Sequence, residues 1–195
     1  MNSPCLSESE EKSNTLLRLS NALFESDITP DLFLPLGKIK QYMAQETERK
    51  FLVTNDDWRI MAPPVHYIQG YLTTDPERTI RVRIAGNRGY LTIKGKVESF
   101  TRPEFEYEIP VSDARELMNL SVTQPVEKFR SKIPYEGKIW EVDEFVGANE
   151  GLIMAEIELE SENENFEIPA WIGEEVTGNP HYFNSYLARN PYSQW

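Results

Sequence analysis

From Gln45 onward the chain is written in short runs that alternate charged and apolar residues, and the charge returns to one face in run after run. A repeat of two is that of a β-strand, whose successive side chains point to opposite faces. Glu46, Glu48 and Lys50 share one side of the first run, Arg81 and Arg83 alternate with Ile80, Val82 and Ile84, and Thr92 and Lys94 alternate with Leu91 and Ile93. Arg102, Glu104 and Glu106 follow, then Lys128 with Arg130, Glu141 with Asp143, and Glu156 with Glu158. The wet face of an open antiparallel sheet can carry such charge. A simple outer face, however, would dilute it with Ser, Thr and Gln, whereas here carboxylates or cations recur in pairs two residues apart. A closed barrel is the alternative, because every second residue then lines an enclosed cavity.

The alternation places strands at about 46–53, 66–74, 77–85, 89–96, 102–110, 126–133, 138–146 and 153–160. Asn87-Arg88-Gly89, Glu136-Gly137 and Asp75-Pro76 read as hairpin turns, so adjacent strands are expected to run antiparallel. Ser112 reads as the N-cap of a helix running to about Leu120, and a last helix is expected over residues 182–189. Residues 1–44 differ in character: an acidic start, helical spacing of apolar residues over 15–24, a Pro35-Leu36-Gly37 break and a second helical candidate at 38–44. The expected division is thus a helical extension, 1–44, and a strand-rich domain, 45–195. Leu16, Leu19 and Leu23 form an apolar stripe in the extension, suited to packing on the outside of the domain or to docking a partner.

Bulk properties narrow the chemistry. A chain of 195 residues that is 39% hydrophobic supports one packed core. Its formal net charge of −12 opposes nonspecific binding to nucleic acid or an anionic membrane, so neither is expected as a partner. Cys5 is the single cysteine, which excludes an internal disulfide and a thiolate zinc site and fits a reducing compartment. No apolar run of membrane-spanning length is present, and Glu8, Glu10 and Glu11 stand where a targeting peptide would be basic or poor in acid, so the cytoplasm is expected. His66 and His181 lie far apart, which leaves oxygen ligands for any metal. Arginine forks and lysine ammoniums suit phosphate oxygens, while carboxylates hold hard divalent cations. A face that mixes them suits a substrate bearing several phosphates.

The chain from Gln45 to Leu187 resembles the CYTH superfamily, the triphosphate tunnel metalloenzymes. The resemblance rests on an ExExK triplet, Glu46, Glu48 and Lys50, and continues through Gln69-Gly70-Tyr71-Leu72, Arg81-Val82-Arg83, Leu91-Thr92-Ile93-Lys94, Arg102-Pro103-Glu104, Val126-Glu127-Lys128-Phe129-Arg130, Glu141-Val142-Asp143, Glu156-Ile157-Glu158 and Gly173-Glu174-Glu175-Val176-Thr177. It implies an α+β, mainly β fold: a closed eight-stranded antiparallel β-barrel, the triphosphate tunnel, with peripheral helices. It implies Mg²⁺ or Mn²⁺ held by Glu46, Glu48 and Glu158, with Glu156 and Asp143 contributing, and a phosphate clamp of Lys50, Arg81, Arg83, Lys94, Arg102, Lys128 and Arg130. Lys50, Glu48 and Tyr71 are the implied catalytic candidates; Lys50 can instead assist the leaving group, and Tyr71 can equally be a packing residue. Trp140, Trp171 and Phe145 are read as packing. Asn179-Pro180-His181-Tyr182 departs from relatives that carry more Lys or Arg before the last helix, which puts substrate contacts from that segment in doubt.

The form of the first run, Glu-Thr-Glu-Arg-Lys-Phe-Leu-Val, resembles that of the bacterial-type enzymes, which implies hydrolysis of inorganic tripolyphosphate to pyrophosphate and orthophosphate. Thiamine triphosphatase, class IV adenylate cyclase and a polyphosphate-binding module without turnover are the alternatives. The expected partner is the small-molecule polyphosphate alone; whether the chain forms a homodimer is open.

Overall fold

The computed structural model describes residues 45–75, 77–96, 98–99 and 101–195. The expected helices at 15–24 and 38–44, and Pro76 of one expected turn, lie outside the described residues. The strands are β1 (Gln45–Val53), β2 (Val65–Asp75), β3 (Arg78–Ala85), β4 (Arg88–Gly95), β5 (Thr101–Ile109), β6 (Val126–Tyr135), β7 (Lys138–Phe145), β8 (Ile153–Glu158) and β9 (Ile172–Glu175). Two α-helices accompany them among the described residues, α1 (Val111–Met118) and α2 (Asn184–Leu187).

The sheet runs β5-β4-β3-β2-β6-β7-β8-β1, all antiparallel, and β1 returns to β5 through Gln45↔Pro103, Glu46↔Arg102 and Thr47↔Thr101. Eight strands thus close into a ring, as expected, through a short three-residue seam between β1 and β5. β9 had no counterpart among the expected strands. It pairs with β1 at Phe51↔Glu175 and Val53↔Ile172, past the point where β5 leaves off. Its Ile-Gly-Glu-Glu run has no alternation to announce it, and it exists because β1 still presents an unpaired edge there.

Turn and cap chemistry accounts for three local differences. The β3–β4 hairpin turns at Gly86-Asn87, one residue earlier than expected, with Gly86 at φ 57. Positive φ at the first central position belongs to a type II′ turn and calls for glycine. Gly89 therefore sits within β4, where a Cβ would lie 2.8 Å from Ala114 Cβ of α1 and 3.0 Å from the Ile109 carbonyl oxygen. Glu136-Gly137 is a hairpin turn as expected, positive φ at both positions (45 and 79) giving type I′. α1 starts a residue before the expected cap: Pro110 holds the N-cap position, and Ser112 Oγ bonds Asp113 instead of the backbone. The last helix shrinks to α2, because Phe183 is extended and follows a 3₁₀ turn (Pro180–Tyr182) in which Asn179 accepts from the His181 amide.

Apolar residues split between two places. Phe51, Trp58, Trp140, Val142, Ile157 and Trp171 pack on the outer wall of β1, β7 and β8, with Phe51, Phe166 and Trp171 each edge-on to Trp140. Tyr71, Val126, Phe145 and Met154 project inward and pack against Leu187 and Ala188, which fills one end of the ring. Trp140, Trp171 and Phe145 are thus packing residues, as expected. No helix among the described residues is long and apolar enough to cross a membrane.

Candidate active site

The inward positions are those whose parity the sequence marked with charge, and closure of the ring brings them face to face. Lys50 Nζ lies 2.5 Å from Glu156 and 2.8 Å from Glu48. Arg102 donates to Glu46 (2.7 Å) and Glu48 (3.2 Å), and Lys94 donates to Glu46 (3.0 Å) and Glu104 (2.6 Å). Arg83 Nη2 reaches both oxygens of Glu106 at 2.8 Å, and Arg81 reaches Glu106 at 3.3 Å and Thr92 at 3.1 Å. Arg130 forks onto Asp143, bonds Glu156 at 2.7 Å and pairs with Glu141, while Lys128 pairs with Asp143.

Burial and pairing pull the titrations in different directions. Burial alone would raise Glu104, but hydrogen bonding with Glu46 and the charges of Lys94 and Arg81 take it down to about 2. Glu156 is likewise held well below the carboxylate range, burial being outweighed by Lys50, Arg130 and Lys128. Lys50 is raised, because Glu156 and Glu48 overcome the cost of its burial. Lys128 goes the other way: burial, then the like charge of Arg130, bring it down to about 8 despite Asp143 and Glu156. Tyr71 is pushed up to about 12, chiefly by burial against the pull of Arg81, Arg102 and Lys50, and its hydroxyl accepts from Gln69 Nε2 at 3.2 Å. It is a neutral phenol across the physiological range.

The structure brings every residue proposed for the clamp into the lumen, already engaged by carboxylates. Of the proposed metal ligands, Glu46 and Glu48 stand beside Glu158, which faces Glu48 across β1 and β8. Asp143, fully buried, and Glu156 lie among cations instead. No three His, Cys, Asp or Glu among the described residues are gathered at metal-binding spacing. The donor chemistry nonetheless fits a hard cation at Glu46, Glu48 and Glu158, an all-oxygen set. Glu158 has no ion pair among the described residues and keeps contact with solvent, yet it is raised by partial loss of hydration and by the like charges of Glu46, Glu141, Glu104 and Glu48. A divalent cation relieves that repulsion.

Several lumen residues had no role from sequence alone. Glu104, Glu106 and Glu141 hold Lys94, Arg83 and Arg130, and their parity with Arg102 and Asp143 was the only signal. Lys132 joins Glu141 at 2.6 Å, two positions beyond Arg130. Residues on either side of the segment that departs from the family pattern reach the site: Asn184 Oδ1 lies 3.5 Å from Lys128 Nζ, and Thr177, Gly178 and Phe183 line a small pocket with Glu48, Lys50 and Arg102. His181 itself stacks on Tyr186, ring centroids 4.8 Å apart.

A ring of eight antiparallel strands around paired acidic and basic side chains matches a known class. A model of the CYTH domain family covers residues 44–186, and the chain belongs to that family. An inorganic triphosphatase of Acetivibrio thermocellus is 49% identical over 154 residues, 78% of this chain and 99% of that protein. An inorganic triphosphatase of Nitrosomonas europaea is 38% identical over 149 residues, 73% of this chain and 96% of its own. The crystal structure of an inorganic triphosphatase superposes with a TM-score of 0.55 at 35% identity, covering 75% of this chain and 95% of the other.

Proposed function

We propose that this chain hydrolyses inorganic triphosphate to pyrophosphate and orthophosphate within the barrel, with Mg²⁺ or Mn²⁺ at Glu46, Glu48 and Glu158. The observation that carries the reading is the lumen's charge pairing, in a chain 49% identical to a named inorganic triphosphatase. Each clamp cation is held by a carboxylate of the wall, so a triphosphate that takes over the cations displaces those carboxylates, whose charge a bound divalent cation would help to offset. Hydrolysis needs water in line with a terminal phosphorus, a bond from its oxygen to that phosphorus, and departure of pyrophosphate with the bridging oxygen. A bound divalent cation would neutralise phosphate charge and lower the pKa of a water.

The chain's own residues supply the rest. Arg81, Arg83, Lys94, Arg102, Lys128 and Arg130 bind and align the phosphates. Lys50 stays charged between Glu48 and Glu156 and offsets charge on the leaving oxygen. Glu48, more exposed than its partner Lys50, accepts a proton from the attacking water. Tyr71 keeps its proton and serves as a hydrogen-bonding wall, not as a base. A cytoplasmic setting remains the reading from the single cysteine. The test is turnover of tripolyphosphate, ATP and thiamine triphosphate with Mg²⁺ and with Mn²⁺. Tripolyphosphate is expected to be hydrolysed fastest; cyclic AMP formation from ATP, or no phosphate release at all, refutes the reading.

A further inference from the structure

Tyr67, which projects inward from β2, belongs to none of the roles above. Its ring lies under two clamp cations on different strands: Arg83 Cζ is 5.4 Å and Arg130 Cζ 5.5 Å from the ring centroid. Tyr90 flanks Arg83 from another side at 5.1 Å. Arg83 needs that support, since burial and then the charge of Arg81 work against its own, and its Nε–H has no acceptor among the described residues. An aromatic face compensates such a guanidinium and fixes its plane. The Tyr67 hydroxyl makes no hydrogen bond among the described residues, although the side chain is buried beside Arg83 and Arg130. A phenol O–H amid cations, with its donor unused, is set to meet an acceptor that the cations also attract.

We propose that Tyr67 is a substrate-binding residue of the tunnel: its ring spaces the Arg83 and Arg130 guanidiniums, and its hydroxyl donates to an oxygen of the phosphate they bind. The inference rests on the lumen being a triphosphate site. Its test uses the full chain with Phe and Leu at this position, measuring calorimetric binding of tripolyphosphate in chelator, steady-state KM and kcat with metal, and Tm. Tyr67→Phe removes only the hydroxyl and should raise Kd and KM about tenfold, the scale for a hydrogen bond to a charged group, with kcat and Tm unchanged. Tyr67→Leu also removes the ring and should weaken binding further. A Phe variant that binds like the native protein, or a Leu variant no weaker than Phe, overturns the proposal. The Phe variant carries the test alone where the Leu variant does not fold. A native protein that binds tripolyphosphate but releases no phosphate refutes the hydrolytic reading, while the binding measurement still judges Tyr67.

Discussion

Glu158→Gln should change stability in opposite directions with and without metal. Glu158 carries no ion pair among the described residues and is raised by loss of hydration and four like charges, so at neutral pH its negative charge works against the folded state. A carboxyl whose folded pKa is raised loses stability as pH climbs from its unfolded to its folded value. The side chain keeps solvent contact, so screening limits the effect to about 0.5 kcal/mol, the scale of an exposed charge interaction. For a chain of 195 residues that is a gain of roughly 1–2 °C in Tm when Gln removes the charge.

Adding metal reverses the order. At a concentration about 100 times its Kd, a divalent cation stabilises the native protein by about 2.7 kcal/mol. Losing one anionic ligand and weakening Kd about tenfold leaves the variant about 1.4 kcal/mol from the same concentration. The native protein then gains about 1.3 kcal/mol more than the variant, which outweighs the initial difference. Thermal unfolding of both proteins in chelator and across a Mg²⁺ or Mn²⁺ titration should show the two Tm curves crossing. A variant that melts below the native protein in chelator would mean that Glu158 has a stabilising partner, and equal shifts on adding metal would remove it from the ligand set.

Arg130→Met should cost about 3–5 kcal/mol in denaturant unfolding, because Asp143, Glu141 and Glu156 lose a shared cation inside the barrel. Adding Asp143→Leu should restore part of that stability without restoring turnover; a double variant no more stable than the single one contradicts the pairing. Lys128, lowered to about 8, should lose its charge as pH rises through that value, so KM for tripolyphosphate should climb above about pH 8 in the native protein and stay flatter in Lys128→Met. Its folded pKa lies below the unfolded one, so its contribution to stability should improve between about pH 8 and 10.5 even as binding weakens. Gly70→Ala should cost about 1–3 kcal/mol, because the new Cβ would lie 2.7 Å from Met118 Sδ and 2.8 Å from Ser121 Oγ. An unchanged Tm would show that this contact gives way.

Parity carried most of what the sequence could say. Arg81/Arg83, Lys128/Arg130 and Glu156/Glu158 face inward because a strand repeat of two leaves no other choice once the ring closes. Parity cannot set the register between strands, and so it does not show that Glu104 faces Lys94 across the β4–β5 pair or that Arg81 and Arg83 reach Glu106. Nor does it tell an aromatic that packs from one that supports a cation: Tyr67 and Tyr71 occupy equivalent positions on β2, one beside Arg83 and Arg130, the other against Leu187 and its apolar neighbours. β9 was illegible for another reason, since its partner edge arises from where β5 leaves β1.

That departure also explains why the Glu46, Glu48 and Lys50 triplet sits where it does. β5 pairs with β1 only at Gln45, Glu46 and Thr47, held by the Glu46–Arg102 ion pair and a 2.7 Å contact between the Thr47 and Thr101 hydroxyls. β9 takes over that edge from Phe51, and between the two the Lys50 backbone is satisfied by Thr177 Oγ1 and the Val176 amide. The triplet thus straddles the seam that closes the ring. Glu46 fastens the seam to β5, Lys50 fastens it to β8 through Glu156, and Glu48 is shared between Lys50 and Arg102. Closure and charge are therefore one arrangement: without the β1–β5 seam Glu46 and Glu48 lose Arg102, and without the cations the three-residue seam encloses unpaired carboxylates. In the proposed reaction a phosphate chain would meet these gathered cations while a divalent cation at Glu46, Glu48 and Glu158 offsets carboxylate charge, which reconciles a chain of net charge −12 with a polyanionic substrate.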